Sequence, residues 1–251
     1  RMAGRYGRVS AIHWPGGTLP YADSTVNIFL MCGDDVQVSP DEIERVLIPN
    51  GLSFVIANGE VTSYTKPWPD DIDHWSHSRY DSSGNAVTQD GRVGPPQSLQ
   101  WEALPRWNRG VKTSGLVSMN GRLFYILDDS HFAEQTRTWS VICRNAFNGL
   151  QLWRSELPSW GGAQGGKKVG PVQINRRLVA VGDRVYVPLG DLAPVSVLDA
   201  ASGETLRILE ETGRCEEFLV SEGILVALSS NATVAELRRG QDAPMRIAAV
   251  D

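Results

Sequence analysis

The hydrophobic positions of this chain follow two different rhythms. Near the start, Val26 to Cys32 (VNIFLMC) is an apolar run, the pattern of a strand buried on both faces of a sheet. Ser39, followed by Pro40 and by Glu42, predicts a helix that opens with a capping box and a proline in its first turn. Ile43, Val46 and Leu47 give that helix one apolar face, and Pro49, Asn50 and Gly51 end it. Leu52 to Ala57 then reads as a second apolar strand. Strand, short helix, strand predicts a βαβ crossover in a parallel sheet.

From Gly115 onward the rhythm becomes two-residue alternation, broken by polar turns and repeated. The first copy has GLVSMNGRLFYIL (115–127) and TWSVICRNAFNGLQLWR (138–154). The second has GPVQINRRLVAVGDRVYVPL (170–189) and APVSVLDAASGETLRIL (193–209), and the third has CEEFLVSEGILVAL (215–228) and ATVAELRRG (232–240). Hairpin turns are predicted at Asn120-Gly121, Gly182-Asp183 and Glu222-Gly223, with further turns at Asn148-Gly149 and Ser202-Gly203. Each copy reads as a four-stranded antiparallel unit, apolar on both faces, that must stack against its neighbours.

Between the two rhythms, Lys66-Pro67-Trp68-Pro69-Asp70-Asp71 marks a boundary, and 71–107 is rich in Gly, Ser, Asp and Trp without clean periodicity. The expected division is 1–65, an α/β segment; 66–110, a linker with elements of a first β-unit; and 111–251, the repeated β-units. Composition adds bounds. Hydrophobic residues make up 41% and charged residues 21% of the 251 positions, so the chain is globular rather than disordered. A net charge of -5, with Arg5, Arg8 and Lys167-Lys168 too scattered to form a basic patch, argues against nucleic acid as partner. No apolar run approaches the roughly 20 residues of a membrane-spanning helix. Cys32, Cys143 and Cys215 are far apart and read as buried free thiols. The chain opens on Arg1 and is read as an internal piece of a longer one.

Two resemblances follow from these residues. LPYADSTVNIFL (19–30) and EIERVLIPNGLSFV (42–55) resemble the second half of a class I SAM-dependent methyltransferase domain. That resemblance places Leu19 and Pro20 near the adenine edge of a SAM site. The family's glycine-rich first loop and ribose-binding acidic residue have no counterpart here. LDAASGETLR (198–207) and CRNAFNGLQLW (143–153) resemble the turn of the PQQ-like, or quinoprotein-like, β-propeller repeat, in which a tryptophan such as Trp153 docks on the turn of the next unit. The order of segments, with WSHSRYDSSGNAV (75–87) and VGPPQSLQW (93–101) between, resembles planctomycete-type bacterial PQQ-like proteins and relatives of the outer-membrane assembly lipoprotein.

The expected fold is therefore mostly β: an open, partial propeller behind a truncated Rossmann-like remnant. The expected function is a non-catalytic binding or scaffold protein taking a protein, glycan or small molecule on propeller loops, exported to the periplasm or beyond. One alternative is a PQQ- and calcium-dependent alcohol or sugar oxidoreductase, for which Trp139, Asn145 and Asp128 are the suitable residue types. Another is a SAM-dependent methyltransferase in a longer parent chain. Whether the chain is an enzyme at all stays open at this point. Candidate metal ligands are the His74-x-x-His77 pair, with Asp71 and Asp73 close by, and the loop residues Asp128, Asp129, His131 and Glu134. The leading reading is plainer: polar capping or surface hydrogen bonding by the two histidines, and an ordinary solvated loop from Asp128 to Arg137, with no metal expected.

Overall fold

The computed structural model describes residues 9–33, 37–92, 94–95, 99–103, 113–128, 139–158, 160, 174–231, 233, 236 and 244–251. It divides into two units, Arg1–Asp70 and Asp71–Asp251.

In the first unit, Ser39 starts the helix as expected, its Oγ accepting the Glu42 N–H at 3.3 Å. The helix, α1 (Pro40–Val46), lies between β1 (Val26–Cys32) and β2 (Leu47–Ala57), which pair in parallel; β3 (Glu60–Thr65) adds antiparallel to β2. The reciprocal half of the capping box is absent. Instead the Glu42 carboxylate accepts the Leu19 N–H at 2.6 Å and a guanidinium N–H of Arg45 at 2.6 Å. The hydrogen bond from Arg45 holds the Glu42 carboxyl well below its usual range, at about 2. The helix also ends earlier than its apolar pattern predicts: Leu47 already belongs to the strand, and Lys66 Nζ donates to the carbonyls of Glu44 and Leu47 at 2.7 and 2.8 Å. Only one face of this sheet is covered. Ile28, Leu30, Ile56 and Val61 are exposed on the other, which corrects the expectation of a strand buried on both faces.

In the second unit, β4 (Thr113–Met119), β5 (Arg122–Asp128), β6 (Trp139–Asn145) and β7 (Gln151–Leu157) form one antiparallel sheet in sequence order. A second contains β8 (Val179–Val181), β9 (Arg184–Pro188), β10 (Val195–Asp199) and β11 (Thr205–Leu209), and a third contains β12 (Cys215–Ser221), β13 (Ile224–Ser230) and β14 (Met245–Val250). The predicted hairpin turns are present, with Asn120, Gly121, Glu222 and Gly223 all at positive φ. One core joins the first sheet to the second through Val117, Phe124, Val141, Trp153, Leu178 and Val185. Another joins the second to the third through Val195, Val197, Leu209, Phe218, Leu225 and Val250.

A repeated contact locks neighbouring elements. Trp153 donates Nε1–H to the Ala200 carbonyl at 3.0 Å, and its ring lies where a Cβ on Gly203 would fall only 2.6 Å away. Trp101 makes the same pair of contacts with Ala146 (3.0 Å) and Gly149. In each turn a side-chain acceptor, Asn145 Oδ1 or Asp199 Oδ1, takes two backbone N–H groups and presents the next residue's carbonyl to the indole.

The partial propeller with a Rossmann-like remnant is corrected. Among the described residues there are four separate sheets, three antiparallel and one mixed, none closed into a ring or barrel, and the α1 helix has only seven residues. The physical reason lies in what the repeat encodes. A tryptophan docked on a neighbouring turn fixes nearest-neighbour stacking and carries no instruction to close. The first strands of the three stacked sheets are instead tied by a segment from outside the repeats.

Candidate functional site

That segment is the aperiodic stretch around WSHSRYDSS. It crosses the first strand of each sheet as a strap. Trp75 exchanges two backbone hydrogen bonds with Ser118 of β4, at 3.1 and 2.7 Å. The Ser76 carbonyl accepts the Ala180 N–H of β8 at 2.9 Å. The Val220 N–H of β12 donates to His77 Nε2 at 3.1 Å, and Ser82 Oγ bonds Ser221 Oγ at 3.1 Å. Strand-edge groups that would otherwise be buried without partners are satisfied this way.

The strap fixes the tautomer of His77. Nε2 accepts from Val220, so the ring proton sits on Nδ1 and is donated to Ser76 Oγ at 2.8 Å; Ser76 Oγ in turn donates to the Tyr80 carbonyl at 3.3 Å. Burial pushes the His77 pKa below its ordinary value, and a proton on Nε2 would face the Val220 N–H head-on. The base of the strap is held by Asp73, which accepts from Gln89 N at 2.7 Å and Thr88 Oγ1 at 3.0 Å.

Beside the strap lies an open cleft of about 210 Å³. Its polar side is Arg79, Asp81, Ser82 and Ser83, and its other side includes Arg176, Glu217 and the apolar Phe218 and Leu219. Arg176 Nη1 donates to both Glu217 carboxylate oxygens at 2.9 Å. Asp81 Oδ1 accepts the Ser83 N–H at 2.9 Å and its hydroxyl at 2.6 Å. The Arg79 guanidinium is exposed, with no ion-pair or hydrogen-bond partner among the described residues.

No protein-family model matches this chain, and a search of the curated proteins finds no match either. The likeness to PQQ-like repeat proteins, to outer-membrane assembly relatives and to methyltransferases thus rests on short local segments, and the sheets do not assemble as those families require.

Most of the sequence-predicted site residues in the described part of the chain have structural partners. Leu19 is buried with its N–H on Glu42 and its carbonyl on Arg45, while Pro20 is exposed beside it. That backbone is committed to the helix rather than to an adenine edge. Trp139 is buried in the core between the first two sheets, out of reach of a planar quinone, and Asn145 caps its turn. Asp128, opposite Trp139 at the end of β5, is buried. Asp129, His131 and Glu134 lie outside the described residues. His74 donates its backbone N–H to Asp73 and is half-buried, whereas His77 has both ring nitrogens committed. Among the described residues no group of three or more His, Cys, Asp or Glu could hold a metal. The PQQ- and calcium-dependent oxidoreductase, the propeller scaffold and the binding of partners on propeller loops therefore lose their basis. The methyltransferase-like identity fares no better, with three strands and one short helix among the described residues of the first unit. No helix among the described residues is long and apolar enough to cross a membrane.

Arg79 and Glu217 were missed by sequence reasoning. Each is an ordinary charged residue in its own segment, and only the strap brings those segments to one cleft.

Proposed function

We propose that the Asp71–Asp251 unit is a recognition module that holds a small hydrophilic anion in the cleft beside the strap. The observation that carries this reading is Arg79, a guanidinium at a concave surface with no counter-charge of its own. Every other charged or imidazole group on the cleft is already engaged: His77 with Val220 and Ser76, Asp81 with Ser83, Glu217 with Arg176. Those commitments favour binding over turnover, since a histidine whose lone pair accepts a backbone N–H cannot take a substrate proton. The hydroxyls of Ser82 and Ser83 suit a hydroxylated carboxylate or a phosphate.

Titration of the chain with lactate and with inorganic phosphate, followed by amide shifts, tests the proposal and separates the two anion types. Saturable shifts at 78–84 and 217–219 with either probe are expected. Arg79→Gln should weaken them by about 10-fold or more, since a hydrogen bond to a charged group contributes about 1.5–3 kcal/mol. Shifts that never saturate, or an Arg79→Gln variant that binds as well as the parent, would overturn it.

A further inference from the structure

The register of the second sheet decides which residues face the third. Val179, Tyr186, Val197 and Arg207 are successive cross-strand partners and share one face. Arg184 lies two residues before Tyr186 on the same strand and shares that face too. This is the face that packs on the third sheet, because Val179, Val195, Val197 and Leu209 share a buried core with Phe218 and Leu225. Two arginines thus interrupt the apolar pattern of this face: Arg207, and Arg184 opposite Asp199, whose Oδ1 is taken up by Ala201 and Ser202 in its own turn.

At this end the two sheets leave a crevice of about 290 Å³, lined by Arg184, Tyr186, Val197, Arg207, Leu225 and Val250 among others. Val197, Leu225 and Val250 are buried and make an apolar floor. Arg184 is exposed and, like the Tyr186 hydroxyl, has no partner among the described residues. Arg207 uses one nitrogen on the Asp251 carbonyl at 3.0 Å. The crevice shares no lining residue with the cleft beside the strap.

We infer that this crevice is a binding site for a small amphipathic carboxylate. The planar fork of Arg184 matches a carboxylate bidentately, with the Tyr186 hydroxyl and the remaining N–H groups of Arg207 as further donors. An apolar body of about one six-membered ring lies on Val197, Leu225 and Val250, where its contact surface leaves water. A fully hydrated anion gains the charge contact but must give up water to an apolar floor, and an amphipathic cation meets two guanidinium groups against Asp251, the one acidic residue of the lining. Both are poor ligands for this crevice.

Amide shifts of the whole chain titrated with phenylacetate, inorganic phosphate and 2-phenylethylammonium separate these cases. Phenylacetate is expected to shift residues 184–188, 205–209 and 245–250 saturably, binding at least 10-fold tighter there than either other probe. Arg184→Gln should weaken phenylacetate by about 10-fold or more, and Arg184→Lys, keeping charge without the fork, should recover part of the loss. Arg79→Gln should leave phenylacetate binding at this crevice unchanged, so failure of the strap-cleft proposal is distinguishable from failure of this one. Thermal melts confirm that each variant is folded; should Arg184→Gln not fold, Arg207→Gln is expected to weaken binding in the same direction. No saturable shift, equal binding of phosphate and phenylacetate, or phenylacetate binding unaffected by either arginine variant would overturn the inference.

Discussion

Replacing His77 by leucine perturbs the strap at one point while nearly conserving volume. In the native chain Nε2 accepts the Val220 N–H at 3.1 Å in a buried environment, and the Nδ1 proton goes to Ser76 Oγ. Leucine removes both and leaves the Val220 amide without an acceptor. An unsatisfied buried donor costs about 1–3 kcal/mol. For a unit of this length each kcal/mol moves the melting midpoint by about 2–4 °C, so a central cost of about 2 kcal/mol gives a fall of roughly 4–8 °C by calorimetry. His77→Gln offers an amide oxygen to Val220 and should recover part of the loss. A pH arm follows from the lowered pKa of His77, which burial causes. The folded state resists protonation more than the unfolded chain does, so the unfolded state binds more protons between the two pKa values. The stabilisation by neutral His77 is therefore complete above the ordinary histidine value, about 6.5, and is lost as pH falls from there toward the depressed folded value. Comparing wild type with His77→Gln over pH 5–8 isolates this contribution from the other histidines. A leucine variant melting within about 1 °C of wild type, or identical pH slopes for the two proteins, would refute the role given to His77 in the strap.

Two further outcomes follow. Gly203→Ala places a Cβ 2.6 Å from the Trp153 ring at a backbone φ of 77°, and should destabilise the chain by about 2–3 kcal/mol in denaturant unfolding. Of the three cysteines, only Cys32 is exposed; burial pushes the thiols of Cys143 and Cys215 up to about 12, so Ellman's reagent at pH 8 should find one fast thiol and two that react only on unfolding.

The local grammar of the chain was legible; its long-range ties were not. Asn120-Gly121 and Glu222-Gly223 announced hairpins because positive φ at paired turn positions is demanded of those residues. The contact of Trp153 with the Asp199–Gly203 turn was legible because both partners belong to one repeated pattern. The same regularity misled at the next level, since a rule for neighbouring units says nothing about closure. The strap escaped notice because its order comes from partners on three distant strands, Ser118, Ala180 and Val220, so its own sequence shows no periodicity. The hydrogen-bonding role of His77 was legible, but its partner was not: the histidine lies in an extended segment and replaces a missing strand acceptor for Val220. Leu19 misled for a related reason: the carboxylate that fixes it, Glu42, looked like a helix cap. Arg184 and Arg207 could have been flagged from the sequence alone, as charges set into alternating apolar strands.

Native-state hydrogen exchange at Ser118, Ala180 and Val220 tests the strap most directly. These amides sit on first strands, where an edge open to solvent exchanges quickly. Bonded to Trp75, Ser76 and His77, they should exchange as slowly as the amides of the central strands β5, β9 and β13, and Val220 should lose its protection in His77→Leu. Exchange of Ala180 and Val220 at the rate of exposed loops in the wild-type chain would contradict the account.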